Sequence, residues 1–292
     1  MRKSKYLVLS SFYFDFNNDL SEIKEIKELF ENQNILDLFR FDKIKSITEY
    51  KFNGYNINFV YLPKNIEKID EGAFWNCKIQ ILDLSNCINL KNIERSVFYK
   101  NQIKYFKLPQ TIENINNFVF ENNQIKSLDL SQYIHLKYIG DYSFGSNQIK
   151  ELKLPENIEI IGSESFLINK IETLDLSSCI NLNIINECAF ESNQIKQLKL
   201  PKNIEILDKY TFSVNQIEIL DLSNCIKLKE ILSDAFSDNP LKEIKILGNI
   251  EIEYDNYYKK DIWNIFARYY NNNKKKAGDY KYIDNKWQWY PL

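Results

Sequence analysis

Histidine is almost missing from this chain: His135 is the single copy. A Ser-His-Asp triad or a histidine-rich metal centre therefore has nothing to be built from. Glycine is scarce too, with seven copies, and no G-x-G-x-x-G or G-x-x-x-x-G-K loop exists to cradle a phosphate. Neither sign of charge dominates. The 38 basic and 40 acidic residues leave a net charge of −2, so no global field draws nucleic acid or an acidic membrane. No apolar run reaches the roughly 18 residues of a transmembrane helix. Near the N-terminus, Arg2, Lys3 and Lys5 precede an apolar stretch at 6–14. That stretch is short and aromatic, ends at Asp15 and lacks a small-x-small cleavage site, so it is not read as a signal peptide. Cysteine is odd in number: Cys77, Cys87, Cys179, Cys188 and Cys225 are no disulfide framework. These absences predict a chain without catalytic machinery, metal or cofactor.

What is present is a period. Leu62-Pro63, Leu108-Pro109, Leu154-Pro155 and Leu200-Pro201 recur every 46 residues, and Leu-Asp-Leu-Ser tetrads start between them at Leu82, Leu128, Leu174 and Leu220. A Phe follows each landmark, at Phe74, Phe98, Phe120, Phe144, Phe166, Phe190, Phe212 and Phe236, with gaps alternating 24 and 22. Two alternating coils thus make one period, the signature of a stacked repeat protein.

Each coil carries a strand pattern I-x-x-L-x-L, starting at Ile57, Ile79, Ile103, Ile125, Ile149, Ile171, Ile195, Ile217 and Leu241. In Ile125-Lys-Ser-Leu-Asp-Leu130 the alternation turns Leu128 and Leu130 inward and Ser127 and Asp129 outward. Eight residues after each strand start stand Asn65, Cys87, Thr111, Tyr133, Asn157, Cys179, Asn203 and Cys225, then an Ile at 66, 88, 112, 134, 158, 180, 204 and 226. Asn in this slot is expected to bond turn backbone, and Cys to fill the same space in the other coil type. A second Asn series, Asn101, Asn123, Asn147, Asn169, Asn193, Asn215 and Asn239, precedes the strands, with Cys77 in its place in the first full coil. Cys179 and Cys225 stand two coils apart, about 9–10 Å at strand spacing, beyond the roughly 7 Å a disulfide spans.

The outward face of the strands carries two columns. One reads Asp83, Lys107, Asp129, Lys153, Asp175, Lys199, Asp221, Lys245, opposite in sign at every neighbour. Each charge is expected to have partners on both sides, as a register-setting ladder or as a charge-matched docking strip. The other reads Phe59, Ile81, Tyr105, Ser127, Glu151, Thr173, Gln197, Ile219, Glu243, and its N-terminal end clusters with Tyr61. Exposed aromatics on a face meant for solvent mark a binding site unless an N-terminal element covers them. The candidate partner-binding residues are Phe59, Tyr61, Ile81, Asp83, Tyr105 and Lys107.

These motifs resemble the BspA-like leucine-rich repeats of bacterial surface proteins. The resemblance rests on I-x-x-L-x-L-P, the following I-x-x-I, and the small residue before Phe in Ala73-Phe74 and Ala189-Phe190; it covers residues 57–250. The tail, with Phe266-Ala-Arg-Tyr-Tyr270, Lys276-Ala-Gly-Asp-Tyr280 and Trp287, resembles the terminal module of many such proteins. It implies an exported, adhesin-like protein, whereas the sequence itself shows no export signal. The expected fold is an α/β leucine-rich-repeat solenoid: one parallel concave β-sheet, short irregular convex turns, and helix-plus-hairpin caps at both ends. Residues 1–56 are expected as the N-terminal cap, 57–250 as the repeats and 251–292 as the C-terminal cap. In the first cap, Asp19 and Glu22 start a helix bearing Ile23, Ile26, Leu29 and Phe30, and Asn53-Gly54 turns a hairpin between 50–52 and 55–57. In the second, a helix near 260–270 precedes a hairpin across Asp284-Asn285, and Trp263, Trp287 and Trp289 seal the last coil. The predicted function is non-catalytic binding of a protein, or of a glycan, by a monomer through the concave sheet. Catalysis in a terminal cap and a purely structural spacer are the alternatives.

Overall fold

The computed structural model describes residues 34–39, 41–255 and 260–291. The expected N-terminal helix and the apolar stretch at 6–14 lie outside the described residues. The chain forms two compact units, Met1–Ile125 and Lys126–Leu292. In both, it winds as a parallel-strand leucine-rich-repeat solenoid with a three-residue strand on one side of nearly every coil.

The leucine alternation sets the core. Leu128, Leu130, Leu174, Leu176 and Phe166 are all buried, and the Phe residues stack coil upon coil behind them. In the first unit, ring centroids of Phe52, Phe74, Phe98 and Phe120 follow at 5.2, 5.7 and 5.6 Å. In the second, Phe144, Phe166, Phe190, Phe212 and Phe236 follow at 5.5, 5.2, 5.5 and 5.4 Å. Each Phe sits in a tight turn between two left-handed residues, as with Glu164 (φ 56°) and Ile168 (φ 53°) around Phe166. Stacking sustains this costly backbone in residues other than glycine. Glu164, Phe166 and Ile168 donate their N–H groups to Glu187, Ala189 and Glu191 of the next coil at 2.9, 2.9 and 3.1 Å.

The buried Asn series completes the backbone bonding. Asn193 Oδ1 accepts from Ile171 N (3.1 Å), and its Nδ2 donates to the carbonyls of Phe166 (2.9 Å) and Phe190 (3.2 Å). Cys77 does part of this work through Sγ, 2.8 Å from Phe52 O. The Asn slot eight residues after the strand start is more exposed. There Asn65, Asn157 and Asn203 each reach one carbonyl of the preceding coil, those of Asp42, Ile134 and Ile180. The Ile beside that slot is not one class. Ile66, Ile112, Ile158 and Ile204 are buried, whereas Ile88, Ile134, Ile180 and Ile226 are exposed. The Asp-bearing coils are two residues longer, and Leu90, Leu136, Leu182 and Leu228 take the core position instead.

A second set of two-residue strands, at the I-x-x-I motif, was not expected. In the second unit these run from Tyr138–Ile139 through Ile160–Ile161, Ile184–Ile185, Ile206–Leu207 and Glu230–Ile231 to Glu251–Ile252, each pairing with the next. The face strands, expected as a single sheet, are hydrogen-bonded in groups of four, four and two, the last pair extended by the C-terminal hairpin. Across every 24-residue step, such as Ser127–Asp129 to Glu151–Lys153, three residues pair. Across 22-residue steps the pairing thins. Phe59–Tyr61 matches Ile81–Asp83 at two residues, Glu151 matches Thr173 alone, and Gln197–Lys199 lies in a different sheet from Ile219–Asp221. Each loose step leaves a strand that runs into proline, which offers no N–H and holds the residue before it extended.

The Asn53-Gly54 hairpin is not formed. Gly54 has the positive φ its sequence suggests (76°), but it serves the coil turn around Phe52. Ile35–Asp37 pairs in parallel with Phe59–Tyr61, so coil geometry is already present before residue 57. At the other end, Asp261 caps the helix Ile262–Asn272 through Asn264 N at 3.1 Å. Strands Gly278–Ile283 and Lys286–Tyr290 form the expected hairpin, with Asp284 and Asn285 at φ 51° and 60°. The hairpin covers the edge of strand Glu243–Ile246. Trp263 packs on Phe236 at 5.0 Å and Trp287 on Phe266 at 5.2 Å, while Trp289 bonds Ala277 O at 3.0 Å.

Candidate interaction surface

The six candidate residues come together in the first unit. Strands Phe59–Tyr61, Ile81–Asp83 and Tyr105–Lys107 are neighbours, and their register aligns Phe59 with Ile81 and Ile81 with Tyr105. Val60 and Leu82 point into the core, so the flanking side chains point out. Tyr61, Ile81 and Tyr105 are 40%, 50% and 72% exposed, and Phe59 is half-buried. The surface extends further than the sequence reading placed it. Strand Ile35–Asp37 adds half-buried Ile35 beside Phe59, and Phe39 just beyond it is exposed. The signal for this was present: Ile35-Leu-Asp-Leu38 repeats Ile81-Leu-Asp-Leu84 one full period earlier.

Asp83 and Lys107 face one another in register at the border. The Asp83 carboxylate is held by the turn that ends its strand, accepting from Ser85 N (3.0 Å) and Ser85 Oγ (2.5 Å). Lys107 is exposed and has no ion-pair partner among the described residues. The same Asp-x-Ser turn recurs in the second unit at Asp129, Asp175 and Asp221. There the charge column corrects one expectation. Lys153 pairs with Asp129 (3.4 Å) and Lys199 with Asp175 (3.1 Å), both across tight steps. Among the described residues no ion pair crosses the loose step from Lys153 to Asp175, and Lys245 pairs with Glu243 (3.5 Å) rather than with Asp221, so the continuous ladder is reduced to two isolated pairs. Serine hydroxyl bonds come first in lowering the pKa of Asp129 and Asp175, with the lysines adding to it.

Little else here has the makings of reactive chemistry. Cys87, Cys179 and Cys225 are free and buried, and burial pushes their thiols up to about 11, 11 and 12, away from the reactive thiolate. His135 is exposed on a turn. Among the described residues no group of three His, Cys, Asp or Glu side chains could hold a metal ion. None of their helices is long and apolar enough to cross a membrane. An open cleft of about 750 Å³ lies at the loose step between Gln197–Lys199 and Ile219–Asp221, where Leu198 is half-buried.

No curated protein matches the chain. Among solved structures, a leucine-rich repeat protein from Bacteroides ovatus ATCC 8483 is 21% identical, with a TM-score of 0.47 over 74% of this chain and 56% of that one. The pneumococcal vaccine antigen PcpA is 19% identical, with a TM-score of 0.45 over 73% and 64%. The functional domain of InlJ from Listeria monocytogenes, which includes a cysteine ladder, is 14% identical, with a TM-score of 0.46 over 75% and 55%. The chain thus spans less than two thirds of each of these structures. A family model described as the BspA type leucine-rich repeat region, in six copies, matches residues 21–137 and 137–262. With the solenoid coils and their Phe stack, that match makes the chain a member of the BspA-type leucine-rich repeat family.

Proposed function

We propose that the chain is a non-catalytic binding protein of adhesin-like type, and that it holds a protein partner on the strand face of the first unit. The supporting observation is the in-register column of half-buried Phe59 with exposed Ile81 and Tyr105, and exposed Tyr61 beside it, on a paired sheet. Solvent-facing strand positions gain nothing in stability from an aromatic or aliphatic group left in water, whereas a contact that dries them gains from each. The face is pre-formed, so binding orders few groups and loses little to entropy. Aromatic anchors at the centre of such contacts carry about 2 kcal/mol or more each. Lys107, exposed and unpaired within the described chain, forms a polar border that favours an acidic rim on the partner.

A photo-reactive amino acid at position 81 would trap whatever docks there, and mass spectrometry would identify it. The trapped protein, purified, should bind Tyr105→Ala at least about tenfold more weakly than wild type. Thermal melts of the two should coincide, because Tyr105 stands in solvent. Equal affinities for the two would overturn this assignment.

A further inference from the structure

The two extra residues of each Asp-bearing coil carry an apolar side chain into solvent. In the second unit these are Ile134, Ile180 and Ile226, exposed by 59%, 52% and 68%. They lie two coils apart, about 10 Å at strand spacing. Their place beside the intervening coils is fixed: the carbonyls of Ile134 and Ile180 accept from Asn157 Nδ2 (3.0 Å) and Asn203 Nδ2 (2.9 Å). Next to those asparagines stand Glu156 and Lys202, both exposed and neither with an ion-pair partner among the described residues. Read coil by coil, the rim is Ile134, Glu156, Ile180, Lys202, Ile226.

That order complements itself when reversed. A two-fold axis through Ile180, with a second copy running antiparallel, sets Ile180 on Ile180, Ile134 on Ile226, and Glu156 on Lys202. A copy running parallel would set Glu156 against Glu156 and Lys202 against Lys202, which like-charge repulsion disfavours. The spacing matches at every contact because both partners share the same repeat. We propose that this rim is a homodimer interface, joining two copies antiparallel about Ile180. It revises the expectation of a monomer, and it is separate from the aromatic face of the first unit. Three isoleucines and two ion pairs make a small contact, so the dimer is weak and its population rises with concentration.

Sedimentation velocity on the full chain over a wide concentration range tests this, with Glu156→Lys, Lys202→Glu, the double charge swap, and Ile180→Asp alongside wild type. Wild type should dimerise. Each single charge reversal should weaken the dimer by about tenfold or more, because it places two like charges in contact at both symmetry-related positions. The double swap should restore wild-type affinity, and Ile180→Asp should abolish the dimer. All three positions are exposed, so thermal melts should coincide and exclude misfolding. A wild-type chain that stays monomeric at the highest concentration would overturn the proposal. So would single reversals without effect, or a double swap that fails to restore the dimer.

Discussion

Asn193 illustrates how single residues hold this chain: one buried amide closes a backbone donor and two backbone carbonyls that the coil geometry leaves over. Leaving any one of them buried and unpaired costs about 1–3 kcal/mol. Asp234 is the opposite case. It is fully buried, in a left-handed turn (φ 58°), with Oδ1 accepting from Asn264 Nδ2 at 2.6 Å and Oδ2 without a hydrogen-bond partner among the described residues. Burial, with Asp255, Asp261 and Asp238 nearby, raises its pKa above the ordinary 3.8. At neutral pH the folded state therefore holds a carboxylate it disfavours. As pH falls through the raised pKa, the folded state takes up a proton before the unfolded chain does, and that cost disappears. Asp234→Asn keeps the bond to Asn264 and suits the left-handed turn. It should raise the melting temperature at neutral pH, with the gap to wild type closing as pH approaches 3.8. Melts in matched buffers across that range check it; a lower melting temperature at neutral pH would count against the burial argument.

At the scale of the strand and its turn, the alternating charges divide the labour unequally. Asp175 accepts from Ser177 N (3.0 Å) and Ser177 Oγ (2.5 Å) and also pairs with Lys199. Among the described residues Lys199 makes only the exposed ion pair, a class worth about 0–1 kcal/mol. Asp175→Ala should thus destabilise by about 1–2 kcal/mol and Lys199→Ala by clearly less. Urea denaturation of the two variants measures the difference, and equal losses would make the ion pair the main contribution. Much of this level was legible in advance. The Leu and Phe positions, the C-terminal hairpin and the outward columns follow from residue type and spacing alone. The left-handed turns were not legible, because Ile168 and Glu164 give no glycine signal and only stacking imposes that backbone. The Asn-Gly pair at 53–54 misled for the same reason, since positive φ serves a coil turn as readily as a hairpin. The outward column was legible at Phe59, Ile81 and Tyr105, whereas its continuation to Ile35 and Phe39 was hidden by the lack of the Leu-Pro and Phe landmarks ahead of residue 52.

For the whole molecule, what repeats is the pair of coils, one tight step and one loose. Deleting residues 149–194 removes one pair and joins identical sequence, because Ser146-Asn-Gln-Ile-Lys150 reappears as Ser192-Asn-Gln-Ile-Lys196. Deleting 149–170 removes a single coil and brings the strand of Asp129 against that of Asp175, with two of the longer turns in contact. The first variant should melt cooperatively close to wild type, and the second at a clearly lower temperature or not cooperatively; calorimetry distinguishes them. In genetic terms, this fixes how such a gene can change length. Recombination between the two Ser-Asn-Gln-Ile-Lys segments inserts or removes 46 codons with every strand neighbour kept. Loss or gain of a single coil, 22 or 24 codons, keeps the reading frame yet sets like charges and like turns side by side. The coil number of this chain should therefore grow and shrink in twos.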